Sequence, residues 1–350
     1  MKESERIDGA AGPAKADAAR RGGAGEREPP ALGAAEAAAL CGLVLDEVEK
    51  AVVGKRPFLE KLLCAAIAGG HVLVEDKPGL AKTLAARSFA KAFGCGFRRI
   101  QFTPDLLPAD ITGAYVLDRK DGSLRLLEGP IFANFVLADE INRAPPKTQS
   151  ALLEAMEEKQ ATLEGRTLAL PSPFMVIATQ NPIEYEGTFP LPEAQLDRFL
   201  VKLSIGYPEA DDELELVERR MRRGREEAPV EAVCAEADLL ALAALAETIH
   251  VEPAVARYAV GLARATREAP RVAVGASPRA SLALVKLARA RALLEGRSFV
   301  LPDDVKSCAF EALVHRVILK PEVWAAETLV ADVVRQSIDS VPVPKAEAEA

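Results

Sequence analysis

Lys82 and Thr83 follow a short apolar segment, inside the octapeptide DKPGLAKT at residues 76–83. A lysine ammonium can bind the β- and γ-phosphates of a nucleotide, and an adjacent hydroxyl can ligate Mg²⁺. The strict phosphate-loop pattern, G-x-x-x-x-G-K-[ST], also requires two glycines, but Asp76 and Ala81 stand in their places. Taken alone, the octapeptide is compatible with a phosphate loop and equally with a charged turn that opens a helix.

The two substituted positions carry different expectations. Ala81 has the smallest side chain after glycine, and it should be tolerated if its backbone angles stay helical. The Asp76 carboxylate would repel a triphosphate unless it points away or is paired, for example with Lys77. Gly79 remains, and it allows a phosphate to approach the backbone closely.

Two adjacent acids, Asp139 and Glu140, end the apolar segment FVLA further along the chain. Nucleotide hydrolysis needs one carboxylate for Mg²⁺ and its water shell, and another to polarise the attacking water. We expect Asp139 to serve the metal and Glu140 to serve the water. The alternative is an acidic helix start, which is common in proteins, but the presence of Lys82 and Thr83 weighs against it.

Three further polar residues could complete such a site. Asn181, in ATQNP, could orient the lytic water, or it could simply belong to an Asn-Pro turn. Arg198, in PEAQLDRFL, could reach the site of a neighbouring subunit, or it could pair with Asp197 or Glu193. Arg279, in GASPRAS, could reach the γ-phosphate, although a solvated arginine at a helix start is the stronger interpretation of these residues alone.

The patterning around these residues predicts an α/β fold. HVLVE, RRIQFT, NFVLA (134–138) and FMVIAT (174–179) are predicted strands that alternate with helices, an order typical of a parallel sheet with crossover helices. The last two do not alternate polar with apolar residues, as expected of strands buried on both faces. An Asp-Gly turn near 115–127 predicts a hairpin, and PPKTQSALLEAMEE predicts a helix.

Strand signals stop near residue 207, and the helical patterns that follow predict a separate domain. We therefore expect a disordered tail at 1–36, an α/β nucleotide-binding domain at 37–206, an all-α lid domain at 207–340 and a second tail at 341–350. The first segment is rich in alanine, glycine, proline and mixed charge, so it cannot bury enough apolar surface to offset its ordering entropy.

Composition excludes several classes of protein. The formal net charge of −8 over 350 residues argues against a general affinity for nucleic acid. No apolar run approaches the length of a membrane span, and the N-terminus lacks the apolar core of a signal peptide. Five cysteines without C-x-x-C spacing and three isolated histidines fit a reducing, cytoplasmic environment better than disulfides or a histidine-based metal centre.

Five segments in order carry a family resemblance: VVGK, EDKPGLAKT, FVLADEINRAPPKTQSALLEAMEE, VIATQNPIEYEGTFPLPEAQLDRF and GASPRAS. Together, over about residues 40 to 320, they resemble the MoxR family of AAA+ ATPases. The resemblance implies a three-layer, parallel-sheet P-loop ATPase core followed by an all-α lid. It also implies a hexameric ring with ATP and Mg²⁺ bound between subunits.

The resemblance also assigns roles to residues. It places Lys77, Pro78, Gly79, Leu80, Ala81, Lys82, Thr83 and Leu84 around the phosphates, and Val53 and Gly54 at the adenine. It gives Thr83 and Asp139 to Mg²⁺, Glu140 to catalysis, Asn181 to sensor 1, Arg198 to an arginine finger and Arg279 to sensor 2. The hairpin near 115–127 would be an insert that contacts a partner. The family's first glycine position varies, so Asp76 is compatible with membership but leaves the ATP affinity open.

Several functions follow as expectations. The first is an ATPase that remodels or matures a protein client, often with a von Willebrand factor A domain partner. The alternative is the ATPase subunit of a metal-chelatase-like complex. A nucleic-acid motor is disfavoured by the acidic charge and by the absence of interleaved aromatic and basic residues. A non-hydrolysing scaffold is disfavoured because both Asp139 and Glu140 are present.

Overall fold

The computed structural model describes residues 32–77, 79–182, 187–225, 227–324 and 329–344. Nearly all of the predicted N-terminal tail lies outside these residues, as does most of the C-terminal one. The first helix, α1, spans Ala34–Glu49 and so begins before residue 37, the predicted start of the folded region.

The strands form one large sheet and three small ones. In chain order they are β1 (Val72–Glu75), β2 (Phe97–Gln101), β3 (Gly113–Leu117), β4 (Leu124–Glu128), β5 (Phe135–Asp139), β6 (Gln160–Leu163), β7 (Arg166–Ala169), β8 (Met175–Gln180), β9 (Val201–Leu203), β10 (Val272–Val274) and β11 (Ile318–Leu319).

The large sheet is parallel throughout and has the order β2-β5-β8-β1-β9. Its central strands are buried on both faces because side chains alternate between two apolar cores. Val72 and Val74 belong to one core, whereas Leu73 belongs to the other. This explains why β5 and β8 are continuous apolar runs, and it confirms the predicted three-layer core.

Helices cover the sheet and form most of the chain after β9. Besides α1 they are α2 (Arg56–Ile67), α3 (Lys82–Ala92), α4 (Pro108–Thr112), α5 (Pro146–Glu158), α6 (Glu193–Leu196), α7 (Ala210–Arg223), α8 (Glu236–Thr248), α9 (Pro253–Glu268), α10 (Pro278–Leu294), α11 (Pro302–Leu313), α12 (Pro321–Trp324) and α13 (Val330–Asp339). Many begin with proline in the first turn, where a missing N–H costs nothing. None of the described helices is both long and apolar enough to cross a bilayer.

The helical region is continuous with the core on one face of the sheet. Buried side chains of α1 and α2 share a cluster with Leu242, Leu284 and Leu313 of the later helices. The region is mainly helical, as expected, and also contains two short strands. β10 pairs antiparallel with β11 at Val272 and Leu319, and both strands are too short to leave a pattern in the sequence.

Two hairpins project from the α/β part. β3 and β4 pair as the Asp-Gly turn predicts, with Tyr115 opposite Leu126. β6 and β7 form a second hairpin that the sequence analysis missed. Its turn, Glu164-Gly165, has positive φ at both residues, the conformation that a two-residue hairpin turn requires.

Candidate active site

A cleft of about 410 Å³ lies at the edge of the sheet where the parallel strands end. Its walls are the loop after β1, the ends of β5 and β8, and one residue of β2: Gly79, Leu80, Ala81, Lys82, Thr83, Leu84, Arg99, Asp139, Glu140, Thr179 and Asn181. The carboxyl edge of an open α/β sheet is the usual place for a ligand. The predicted loop, both acids and Asn181 therefore meet in one site. Pro78 lies outside the described residues.

The phosphate-loop backbone differs from expectation at Ala81. Its φ of 57° and ψ of 19° place it in the left-handed region, immediately before α3 begins at Lys82. The condition under which Ala81 was expected to be tolerated, namely helical backbone angles, is therefore not met. The loop needs a left-handed residue at this point, which costs a residue with a Cβ about 1–2 kcal/mol, and this explains why the strict pattern has glycine there. Gly79, with φ of 84°, carries no such cost.

The Lys82 ammonium is held inside the loop. Its Nζ donates to the backbone carbonyl of Asp76 at 2.5 Å. Burial lowers the pKa of Lys82, and the nearby carboxylates of Asp76, Asp139 and Glu140 oppose that shift. A half-buried cation at a helix N-terminus, beside free backbone N–H groups, is an environment suited to a phosphate.

The Asp76 carboxylate points away from the cleft. Its Oδ2 accepts hydrogen bonds from Ser204 Oγ at 2.9 Å and from the backbone N–H groups of Ile205 and Gly206, both at 2.7 Å. Its Oδ1 accepts from the backbone N–H of Lys77 at 2.9 Å. Burial raises the pKa of Asp76, but these hydrogen bonds outweigh burial and hold the pKa below its ordinary value. The Lys77 ammonium does not pair with it.

Thr179 organises the two acids at the end of β5. Its hydroxyl donates to Asp139 Oδ1 at 2.6 Å and accepts from the backbone N–H of Glu140 at 2.9 Å. The other Asp139 oxygen accepts from Arg99, with Nη2 at 2.6 Å. These contacts hold Asp139 in one orientation, toward the cleft.

Glu140 has strained backbone angles, with φ of 58° and ψ of 48°. A residue with a Cβ adopts this region only where its surroundings impose it, and such residues concentrate at functional sites. Its carboxylate accepts from Gln101 Nε2 at 2.9 Å and lies 3.3 Å from the Arg143 guanidinium. The backbone therefore changes direction at Glu140, directly after β5. The Glu140 side chain is held by two polar neighbours, Gln101 and Arg143.

The oxygens of the cleft suit Mg²⁺. The Thr83 hydroxyl and the Asp139 carboxylate line the same cavity, and Mg²⁺ prefers hard oxygen ligands, few from the protein and the rest from water and phosphate. No cluster of three or more histidine, cysteine or acidic side chains that could hold a metal occurs in the described ranges. The oxygens of the cleft therefore suit a metal ion that is bound together with a phosphate ligand.

The two predicted arginines do not line the cleft. Arg279 Nη2 lies 2.5 Å from Glu157 Oε1, and Arg198 Nε lies 3.6 Å from Glu157 Oε2. The two guanidinium groups therefore converge on one carboxylate near the end of α5. We refer to Glu157, Arg198 and Arg279 as the arginine cluster. Neither of the predicted intrachain partners of Arg198, Asp197 or Glu193, is the one observed. Arg279 is exposed at the start of α10, as the alternative interpretation expects, and it is also ion-paired.

Asp197 instead joins the helical region to the segment that carries Arg198. Its Oδ1 accepts from Arg316 Nε at 2.6 Å, and its Oδ2 accepts from Ser277 Oγ at 3.0 Å. Arg316 is almost fully buried and also donates to the backbone carbonyl of Phe199 at 2.7 Å. Ser277 is the N-cap of α10, the helix in which Arg279 is the second residue.

A second, smaller pocket of about 230 Å³ includes Gly54, one of the two residues predicted at the adenine. Its wall also contains Phe58, Ser204 and Ile205, and Glu311 from α11. The pocket's lining does not include Val53, which is buried. Gly54 has φ of 67°, in the left-handed region that favours glycine, and a Cβ there would also displace the Asp212 carboxylate.

Comparisons with known proteins agree with this geometry. A family described as "ATPase family associated with various cellular activities (AAA)" matches residues 71–201, and the AAA lid domain matches 264–337. The chain is 46% identical over 305 residues to the uncharacterized protein YeaC of Bacillus subtilis, covering 87% of this chain and 95% of that one. It is 43% identical to chaperone MoxR1 of Mycobacterium tuberculosis, covering 86% and 82%.

The chain belongs to the MoxR family of AAA+ ATPases. A crystal structure from Cytophaga hutchinsonii, described as that of a candidate ATPase, matches this MoxR-family fold with a TM-score of 0.83 and 39% identity. The match covers 89% of this chain and 97% of the other. The fold and the family resemblance are therefore confirmed, and ATP hydrolysis is the activity of the family.

Sequence reasoning missed several polar residues of this MoxR-family site. Arg99, Gln101 and Thr179 lie on strands beside the motif residues, and Glu157 pairs with both arginines. Gln101 is opposite Asp139 in the register of β2 and β5. A search for polar residues at the ends of predicted strands would have found Gln101 and Thr179. No comparable signal marks Glu157.

Proposed function

We propose that this protein binds ATP with Mg²⁺ in the cleft and hydrolyses it. The observation that carries the proposal is the convergence of Lys82, Thr83, Asp139 and Glu140 on one cavity at the strand ends. A cation, a hydroxyl and two carboxylates are the groups that phosphoryl transfer to water requires. Mg²⁺, when bound, would neutralise charge on the β- and γ-phosphates.

Each residue has a role that follows from its place. Lys82, which contacts the Asp76 carbonyl, would bind phosphate, and Thr83 and Asp139 would hold the metal. Glu140 polarises the attacking water, and Asn181, in the same wall, orients it. In-line attack develops negative charge at the γ-phosphate, and Arg198 of a neighbouring subunit would add positive charge there to that of Lys82 and Arg99 in this wall.

The arginine cluster supports assembly into a ring, for which we propose a hexamer. Arg198 and Arg279 meet at Glu157 and are not part of the described cleft lining. Both would therefore act on ATP bound by a neighbouring subunit. This modifies the expectation for Arg279, which becomes a residue that acts in trans together with Arg198.

A protein client is the substrate we propose for the assembled ATPase. The hairpin β3–β4 exposes Val116, Leu117, Leu124 and Leu127 to solvent. An exposed apolar group of this kind favours contact with another protein. We propose chaperone-like remodelling of that client, with a von Willebrand factor A domain protein as partner.

The test is a steady-state ATPase assay on wild type and Glu140→Gln, with Mg²⁺ present. The variant keeps the size of the side chain but cannot accept a proton from water, so turnover should fall by about 10²–10⁴. ATP binding, followed with a fluorescent analogue, should stay within about threefold of wild type.

Glu154→Gln is the matched control, because Glu154 is an exposed residue of α5 and does not line the described cleft. It should hydrolyse ATP at the wild-type rate. Equal turnover by Glu140→Gln and wild type would show that Glu140 is not the base, and absence of ATP binding by wild type would remove the proposed function altogether.

A further inference from the structure

Asp76 stands where the phosphate-loop pattern has its first glycine, yet its carboxylate is buried and fully engaged. Three of its hydrogen bonds reach residues 204–206, more than a hundred residues further along the chain. A glycine at this position could make none of them. The substitution therefore adds a connection that the strict pattern lacks.

Residues 204–206 are built to receive a negative charge. The successive N–H groups of Ile205 and Gly206 converge on the single Asp76 Oδ2, an arrangement that favours an anion. Gly206 has φ of 68°, in the left-handed region where glycine carries no steric cost. The Ser204 hydroxyl adds a third donor. The fit is between a carboxylate and a backbone concavity shaped for it.

The same segment forms part of the wall of the smaller pocket. Ser204 and Ile205 line it together with Gly54 and Phe58. The next residue, Tyr207, is also fixed from two sides. Its carbonyl accepts from Lys55 Nζ at 2.7 Å, and its ring lies 5.0 Å below the Lys77 ammonium. Asp76 and Lys77 of the phosphate loop therefore both contact the segment 204–207.

The backbone of Asp76 faces the other cavity. Its carbonyl accepts from Lys82 Nζ at 2.5 Å, so one residue contacts the phosphate-binding lysine through its main chain and the smaller pocket's wall through its side chain. A bound phosphate would draw Lys82 away from that carbonyl. Asp76 thus contacts lining residues of both cavities, Lys82 in one and Ser204 and Ile205 in the other.

We propose that Asp76 is a positioning residue that fixes residues 204–206 as the wall of the nucleoside pocket and so joins the phosphate cleft and the smaller pocket into one nucleotide site. The proposal rests on the proposed ATPase function, because it takes the smaller pocket as the place of the base and ribose. It assigns Asp76 to the recognition of the nucleoside and not to the phosphates.

The test separates nucleoside from phosphate. The full chain and its Asp76→Gly variant are titrated with ADP and with inorganic tripolyphosphate by calorimetry. The variant should bind ADP about tenfold more weakly, the equivalent of about 1.4 kcal/mol. Its dissociation constant for tripolyphosphate should stay within about twofold of wild type. A merely structural role would weaken both ligands alike.

Hydrogen exchange of individual amides, measured without ligand, tests the contact itself. The amides of Ile205 and Gly206 should exchange at least about tenfold faster in Asp76→Gly. Asp76→Asn keeps one acceptor oxygen without the charge and should give an intermediate rate. Ser204→Ala removes a single donor, so it should change both the exchange and ADP binding least.

The outcomes are distinct. Equal loss of both ligands, or unchanged protection of the two amides in Asp76→Gly, would overturn the positioning role. Wild type that binds tripolyphosphate but not ADP would overturn it as well, since no nucleoside pocket would then exist. Wild type that binds neither ligand would refute the ATPase function and this proposal with it, while the exchange rates would still report whether Asp76 holds residues 204–206.

Discussion

The cleft and the arginine cluster are two charged regions of the chain, and they are built in opposite ways. In the cleft, Lys82, Asp139 and Glu140 come from loops and strand ends that the parallel sheet brings to one edge. In the arginine cluster, Arg198 and Arg279 come from the end of the α/β part and from the helical region. They meet on Glu157, 41 and 122 positions away in sequence.

The difference lies in what each region still requires. The cleft presents cation, hydroxyl and carboxylates to an open cavity, and a Mg²⁺-bound triphosphate would complete it. In the arginine cluster, two cations share one carboxylate. Neither arginine is among the described residues that line the cleft. The position of this charge outside the cleft lining is the basis on which we propose that the subunits work in pairs.

The largest effect on activity is expected from the removal of Arg198, which tests whether the arginine cluster acts on a neighbouring subunit. If Arg198 stabilises the transition state in a neighbouring subunit, Arg198→Ala should lower turnover by about 10³–10⁵ and leave ATP binding unchanged. Lys82→Ala should be equally inactive, but because its own cleft cannot bind phosphate. Steady-state hydrolysis by each purified variant is the measurement.

Mixing the two inactive proteins then decides whether the arginine acts between subunits. Each Arg198→Ala subunit has an intact cleft, and each Lys82→Ala subunit has an intact arginine. Mixed assemblies should regain a measurable part of wild-type turnover. If the mixture stays as inactive as its components, although sedimentation shows joint assembly, the arginine cluster does not act in trans.

His71 provides a second test, because it is adjacent in sequence to β1 and contacts the residue next to Glu157. It precedes β1, which leads into the phosphate loop, and its Nε2 donates to the carbonyl of Met156, next to Glu157. Its Nδ1 accepts from the Val176 N–H at 3.0 Å, so the ring is neutral. Burial lowers the pKa of His71 to about 4, from 6.5.

Acid should therefore destabilise the protein through His71. A depressed histidine pKa contributes stability that is fully present above pH 6.5 and is lost as the pH falls toward 4, by about 3 kcal/mol in total. Urea unfolding between pH 7 and pH 4 should show a shallower loss in His71→Gln than in wild type. His250→Gln is the control, because His250 is exposed; an identical pH dependence in all three proteins would rule the effect out.

The smallest effect should come from Ala81→Gly, which restores the second glycine of the loop. Removing a left-handed alanine should stabilise the protein by about 1 kcal/mol after the greater freedom of unfolded glycine is subtracted. Ala85→Gly, four residues later in α3, should instead destabilise it by about 1 kcal/mol. Denaturant unfolding would measure both, and a less stable Ala81→Gly protein would contradict the strain assigned to Ala81.

The parts of the fold that depend on short stretches of sequence could be predicted. Continuous apolar segments indicated β5 and β8, and an Asp-Gly turn indicated the β3–β4 hairpin. The β6–β7 hairpin had a comparable signal in its Glu-Gly turn, and it was overlooked. The two-residue β11 and the three-residue β10 are too short to produce a periodic pattern.

The same distinction applies to the residues of the site: those placed by short stretches of sequence could be predicted, and those placed by distant contacts could not. Lys82, Thr83, Asp139, Glu140 and Asn181 could be placed together because parallel strands end at one edge of the sheet. The direction of the Asp76 carboxylate could not be predicted, because its partners are 128 to 130 residues away. The same holds for Arg279, whose partner depends on how the helical region packs. The backbone conformation of Ala81 could not be predicted for a different reason. The loop geometry requires a left-handed residue at this position, and it imposes that conformation although alanine disfavours it.

The partly buried Asp197 connects the two segments that carry the arginines. It holds Arg316 and Ser277 at once, while the next residue is Arg198 and Ser277 begins the helix of Arg279. The positions of the two guanidinium groups are therefore coupled through Asp197. A rotation of the helical region would therefore move both guanidinium groups together. In the proposed ring, each subunit would transmit its conformation to its neighbour through the displacement of this pair of charges.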